Sequence, residues 1–370
     1  MWALIFGGLL VGGAAGLVYL ISRFYKFFWV MRASEGKKWA RILISTVMVL
    51  AIVAVLWGTM GSMNAIVCVL HLVAFWILCD FVFWGIKKWK GRAFNRYYAG
   101  MCALVLTVVY LSVGFVLANH VFRTEYAIDS EKEVGTLRIV HIADSHVGTT
   151  FDGEGFAEYV AQMQAENPDI VVITGDYVDD DTKRQDMVDA CRALGTFKTT
   201  YGVYYVFGNH DRGYYSADYR GFDGDDLIAE LEKNGVIVLE DETVLLDNRF
   251  YVIGRKDRSE AERGRGRASA AELVQGLDAD KYMIVLDHQP GEYEELEEAG
   301  VDLVLSGHTH GGQFFPVNYV GEWTGVNAKT YGLERRGKTD FVVTSGISDW
   351  AIQFKTGCKS EYVVIDITGK

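Results

Sequence analysis

Acid is nearly missing from the first third of this chain. Residues 1–124 hold 12 Lys and Arg against 2 Asp and Glu, and the remainder holds 24 against 46, so the net charge of −12 conceals a basic segment joined to a strongly acidic one. So acidic a second segment excludes bulk electrostatic binding of nucleic acid, which is built on cationic contacts to phosphate. Cysteine is scarce and scattered. Cys68, Cys79 and Cys102 lie in apolar runs, and neither Cys191 nor Cys358 has metal-ligand spacing, which leaves no thiolate metal site. Were the second segment outside the cell, Cys191 and Cys358 could pair but need not. No internal repeat or low-complexity segment occurs, so a repeat architecture is excluded.

What fills the first third is apolar. Trp2 to Ile21, Ile42 to Met60, Ala65 to Ile86 and Tyr98 to Ala118 each approach the roughly 20 residues that span a bilayer, and Asp80 is their one charged residue. Four transmembrane helices are expected. The first has no basic residue before it and no Ala-x-Ala-like exit, and it runs into Arg23 and Lys26, so it reads as a retained anchor rather than a cleaved signal. Lys and Arg crowd the first loop (Arg23, Lys26, Arg32, Lys37, Lys38, Arg41) and the third (Lys87, Lys88, Lys90, Arg92, Arg96), while the second is only Gly61-Ser62-Met63-Asn64. Both basic loops are therefore expected in the cytoplasm, with everything after Ala118 outside. His71 and Asp80 fall on opposite faces of one helix and read as packing and interfacial residues without assigned roles.

At residues 119–135 charged residues replace apolar ones, which marks a boundary: an anchor over 1–124, a linker over 125–136 and a soluble domain over 137–370. The domain alternates short apolar strands with helical stretches, the pattern of an α/β fold. Five apolar runs end in polar blocks: Asp144-Ser145-His146, Gly175-Asp176-Tyr177-Val178-Asp179, Gly208-Asn209-His210-Asp211, Asp287-His288 and Ser306-Gly307-His308-Thr309-His310-Gly311-Gly312-Gln313. Each alone also reads as a turn or a helix cap. Five in order, all at strand ends, read as one metal site, because imidazoles at i and i+2 on an extended backbone point to one side. His141, inside the first strand, reads as a core residue.

These blocks resemble the signature of the calcineurin-like metallophosphoesterases (D-x-H, G-D-x-x-D, G-N-H-[DE], a lone His and G-H-x-H), and the G-H-T-H-G-G-Q form resembles its membrane-associated and exported bacterial branch. The resemblance implies a four-layer β-sandwich of two mixed sheets flanked by helices. It also implies two divalent metals about 3.5 to 4 Å apart, able to share a hydroxide and clamp a phosphate ester in line. By similarity Asp176 bridges; Asp144, His146 and His310 complete one site, and Asn209, His288 and His308 the other. Imidazoles with oxygen donors and no thiolate suit Mn, Fe or Zn. His210 resembles the family's histidine that stabilises or protonates the leaving oxygen, with Asp179 holding its ring; Asp211 is read as structural.

Arg255, Arg263, Arg265 and Arg267 lie in a loop rich in basic residues, which reads either as a solvated loop or as a clamp for a second phosphate or an anionic headgroup. Tyr214, Tyr215, Tyr219 and Phe222 wall the cleft or pack. The expected function is membrane-anchored hydrolysis of a phosphomonoester, phosphodiester or pyrophosphate of a lipid, nucleotide-sugar or envelope substrate, with no protein partner inferred. The rival is a non-catalytic metal- and phosphate-binding sensor that signals through the helices. A complete ligand set with His210 argues against it, since a binding module has no need of a leaving-group acid.

Overall fold

In a computed structural model of the protein the described residues are 2–92 and 94–370, with side chains from residue 12 onward. The chain divides into two compact units, Met1–Gly114 and Phe115–Lys370.

Helices Trp2–Phe24, Phe28–Ala33 and Lys38–Lys90, with most of Tyr98–Asn119, make the first unit. Gly61, at φ 78° and ψ 171°, interrupts the 53-residue helix. This break falls on the expected second loop, because a residue without Cβ takes that φ at little cost. Among the described residues, Lys38–Lys90 and Tyr98–Asn119 are long and apolar enough to cross a membrane. Of the expected span Trp2 to Ile21, the side chains up to Val11 lie outside the described residues. Trp76 and Leu72 pack inside against Phe24 and Val30, while Val55, Trp57 and Phe81 are 62–66% exposed. Asp80 is more than an interfacial residue: it pairs with Arg23 Nε at 2.8 Å and accepts from the hydroxyls of Tyr19 at 3.0 Å and Tyr97 at 2.7 Å. His71 Nδ1 lies 2.8 Å from the Val67 carbonyl of its own helix.

The second unit is built on two six-stranded mixed sheets. In the first, β1 (Phe122–Asp129), β12 (Glu361–Thr368), β2 (Thr136–Ile142), β3 (Ile170–Thr174), β4 (Val203–Val206) and β5 (Val236–Val238) lie side by side in that order. The second runs β10 (Gly332–Arg336), β11 (Thr339–Val343), β9 (Leu303–Ser306), β8 (Tyr282–Leu286), β7 (Phe250–Gly254) and β6 (Glu242–Leu246). Strands β2 to β5 are mutually parallel, as are β7, β8, β9 and β11.

Because successive side chains point to opposite faces, the central strands must be apolar on both. Ile139, Val172 and Val206 meet Val252, Ile284 and Leu305 between the sheets. Val140, Val171 and Tyr205 face helices Gly153–Gln164, Arg184–Leu194 and Gly224–Lys233 through Phe156, Met187 and Leu227. Ile253, Val285 and Phe341 face Leu273 and Leu296. The result is four layers, helix–sheet–sheet–helix.

The expected linker is corrected at its first half. Phe122–Asp129 is an edge strand paired in parallel with β12, and its alternation of Phe, Thr, Tyr and Ile with Arg, Glu and Asp is the period-2 pattern of a half-exposed strand. His141 is fully buried, bonded through Nε2 to Thr174 Oγ1 at 2.7 Å, and burial pushes its imidazole down to about 3. Cys191 and Cys358 are buried and unpaired.

Candidate metal centre

Five parallel strands, β2, β3, β4, β8 and β9, deliver the polar blocks at their carboxyl ends, where α/β sheets open a crevice. The backbone there is strained. Asp144, His146, Asp176, His308 and His310 all have φ between 37° and 71°, a region that costs an L-residue about 1–2 kcal/mol and that clusters at functional sites. Gly208 is required, since a Cβ there would fall on the Asp176 carboxylate.

Two ligand groups result: Asp144, His146 and His310 in one, Asp176, His288 and His308 in the other, with the ligand atoms of each group within 4.8 Å of one another. Asp176 Oδ2 lies between the groups, 3.1 Å from His288 Nε2 and 3.9 Å from His146 Nε2. Asn209 Oδ1 stands 3.2 Å from His288 Nε2, and its amide nitrogen donates to the Tyr214 hydroxyl at 2.9 Å, which fixes the oxygen toward the second group.

The outer ring nitrogens are held in the manner of metal-bound histidines. His146 Nδ1 meets Asp179 Oδ2 at 3.1 Å, His288 Nδ1 meets the Thr174 carbonyl at 2.7 Å, and His310 Nδ1 lies 3.6 Å from Asp349 Oδ1. His146 Nε2 is buried with no hydrogen-bond partner, facing the other ligands. An orphaned buried imidazole nitrogen costs free energy that a cation would recover. The charges agree: burial opposes ionisation of Asp176, yet His288, His210 and His146 outweigh it and hold the carboxyl well below the usual carboxylate range. His288 is held well above the usual imidazole range despite its burial, by Asp176 and Asp144. This is a place that stabilises positive charge, and the donor set fits two divalent ions.

Asp179 is a correction. It bonds His146 rather than His210, because the block Asp176–Asp179 turns it toward the D-x-H loop, and its Oδ1 is occupied by the backbone of Asp181 and Thr182. No carboxylate bonds the His210 ring among the described residues. That ring stands 5.2 Å from His146, 5.1 Å from Tyr214 and 6.1 Å from Trp350, and burial pushes its pKa down. Asp211 accepts from four backbone N–H groups, those of Asp176, Tyr177, Val178 and Gly208.

The arginine clamp is also corrected. Arg255 is buried, with Nη1 3.2 Å from Asp287 and Nη2 bonded to Glu292, while Arg267 reaches the same carboxylates at 2.7 and 2.8 Å. Their Nε atoms donate to the carbonyls of Ala268 and Lys256. Charge pairing absorbed both residues, which brace the loop of His288 instead of facing substrate. Arg265 pairs with Glu260. Arg263 donates to the Gly213 carbonyl with its guanidinium 6.0 Å from the Tyr214 ring. Phe222 is core, while Tyr215 and Tyr219 are exposed. Arg255→Gln should lower the melting midpoint through loss of about 3–5 kcal/mol, as for other broken buried pairs, with KM on a small ester changed less than twofold. Arg265→Gln should leave both unchanged, and a KM rise at Arg255 without melting loss would restore the clamp.

The sequence reading missed Asp349, which sits beside His310 and pairs with the fully buried Lys355 at 3.4 Å. The segment around it carries Ser348 N onto the Asp144 carbonyl and so closes the centre from the C-terminal side. Gly-Ile-Ser-Asp-Trp has no motif that would have announced this.

A family model described as calcineurin-like phosphoesterase matches residues 137–312. A metallophosphoesterase of Campylobacter jejuni is 30% identical over 273 residues, covering 72% of this chain and 70% of its own. One of Aquifex aeolicus is 36% identical over 208 residues, covering 55% and 75%. A Danio rerio relative, named a transmembrane protein with metallophosphoesterase domain, is 30% identical over 281 residues, covering 70% of this chain and 60% of its own.

Proposed function

The chain belongs to the calcineurin-like phosphoesterases, hydrolases of phosphate esters, and on that premise we propose that it is a dinuclear enzyme anchored in a membrane by four helices with its catalytic domain outside the cytoplasm. The observation that carries the dinuclear reading is Asp176 Oδ2 between two ligand groups, beside the unpartnered His146 Nε2. Asp144, His146 and His310 would hold one ion, Asn209, His288 and His308 the other, with Asp176 shared between them. When bound, a pair of Mn, Fe or Zn ions supplies Lewis acidity and a nucleophilic water at neutral pH.

The remaining work falls to the chain's own side chains. Asp179 and the Thr174 carbonyl fix the rings of His146 and His288 so that Nε2 faces inward. His210, its main-chain N–H anchored on Asp176 Oδ1 at 2.8 Å, is placed to donate a hydrogen bond to the leaving oxygen. Trp350 and Tyr214 flank its ring. The substrate is a phosphate ester of a lipid, nucleotide-sugar or envelope polymer.

The test is turnover of phosphomonoesters, phosphodiesters and pyrophosphates by the purified full-length protein after loading with each metal. A protein carrying two ions per chain that cleaves none of them would sink the reading. His210→Ala should keep both ions and lose turnover by about two to four orders of magnitude, the usual worth of a positioned acid. Parental turnover on an ester with a poor leaving group would remove His210 from that role.

For the membrane, support comes from the helical backbone over Trp2–Phe24, the break at Gly61 and the basic residues of the two long loops. The name of the Danio rerio relative is in keeping with it. A reporter fused at Lys370 that is active only outside the cytoplasm should be active. Protease protection of the domain in intact spheroplasts would reverse the orientation.

A further inference from the structure

Directly after its last ligand block the catalytic unit presents a surface unlike the rest of it. Val317, Tyr319, Val320, Trp323 and Val326 are 44–73% exposed, Trp323 the most. Residues 313–328 hold one charged residue, Glu322, and its carboxylate accepts from Thr330 N at 2.6 Å. An acidic domain has little reason to show water so many apolar side chains in so short a stretch, and such patches mark contact surfaces.

The segment is built into the metal centre. Gln313 Nε2 donates to Phe354 O at 2.6 Å and to Asp349 Oδ1 at 3.2 Å, and the same Asp349 oxygen lies 3.6 Å from His310 Nδ1. Asn318 is buried, and a Cβ on Gly312 would fall on its backbone. The apolar side chains therefore stand on a braced rim that begins at Gln313, three residues beyond His310. On the His210 side, Trp350 is 46% exposed.

We propose that this rim rests on the bilayer surface, and that the ester taken by the centre is carried by a lipid whose phosphate is presented there; the second half rests on the phosphoesterase reading above. Three observations favour a bilayer over a protein. Trp and Tyr flanked by aliphatic residues are the composition of membrane interfaces. The chain carries membrane-length helices, so a bilayer is always near. Finally, a domain this acidic is repelled by anionic headgroups wherever its carboxylates face them, and a stretch with one internally bonded acid is where it can approach.

The test uses full-length protein in phosphatidylcholine–phosphatidylglycerol vesicles. The emission difference between the parent and Trp323→Phe isolates Trp323. It should be quenched at least twofold by phosphatidylcholine brominated at shallow acyl positions and hardly by iodide. Quenching by iodide alone, or by neither, would mean water or a protein covers the rim and would overturn the proposal. In the same vesicles, metal-loaded parent should cleave dodecyl p-nitrophenyl phosphate at least tenfold better in kcat/KM than the methyl ester. Val317→Ser/Trp323→Ser/Val326→Ser should abolish that preference and leave the methyl ester unchanged. A parent without preference, or a variant that keeps it, would overturn the lipid substrate. Failure to cleave either ester would overturn the lipid half, only failure on every member of the panel above as well would sink the phosphoesterase reading, and quenching would still decide the bilayer contact.

Discussion

Asp176→Asn should leave the protein folded, with fewer than two ions per chain and turnover down by at least about three orders of magnitude. Two divalent ions held about 4 Å apart would repel by on the order of 16 kcal/mol at an effective dielectric of 20, four times the unit-charge value. A carboxylate shared by them would make that proximity tolerable. Asparagine is nearly isosteric, but the pattern of donors turns it the wrong way. Asp176 Oδ1 accepts from His210 N at 2.8 Å, so the amide oxygen of asparagine is held there and its NH2, a donor with no lone pair for a metal, replaces Oδ2. His288, which Asp176 and Asp144 hold well above the usual imidazole range, would also lose the partner that fixes its Nε2 at 3.1 Å. Elemental analysis beside kinetics reads both effects. A variant that retained two ions and parental turnover would show that another group bridges.

Much of the centre was legible because its parts are local. Asp144, Asp176, Asn209, His288 and His308 each follow an apolar run by one to three residues, and parallel strands bring such positions together at one end whatever their separation in sequence. What could not be read was partner choice. Asp179 goes to His146 because of a backbone turn that no spacing rule encodes, and Arg255 and Arg267 were spent on Asp287 and Glu292, acids 20 to 37 residues away along the chain. Asp349 and Lys355 pair inside a segment with no periodicity to betray burial. Phe122–Asp129 was readable and misread: its charges suggested a linker, while their alternation with Phe, Thr, Tyr and Ile was the strand signal.

Asp211→Asn should melt the second unit with metal present or absent. One carboxylate gathers the N–H groups of Asp176, Tyr177, Val178 and Gly208 at 2.6 to 3.1 Å, so it ties the Gly-Asp and Gly-Asn-His loops into one piece. All of this is buried, and an amide can offer only one of its two ends as an acceptor. At least one main-chain N–H would face another donor. The buried Arg220, whose guanidinium bonds to the carbonyls of Phe222, Asp179 and Asp211, would lose the favourable charge of the Asp211 carboxylate. Each buried group left unsatisfied costs about 1–3 kcal/mol, so a loss of about 3–5 kcal/mol is expected, on the order of 10 °C in a domain of this size. The comparison that separates this from metal loss is a melt in excess chelator. Asp176→Asn should melt closer to the stripped parent than Asp211→Asn does, since beyond the missing bridge it loses one partner of His288. Asp211→Asn should still melt lower, since no ion takes part in its bonds. Coincidence of all three curves in chelator would make Asp211 a support for metal binding alone and remove its role in the fold.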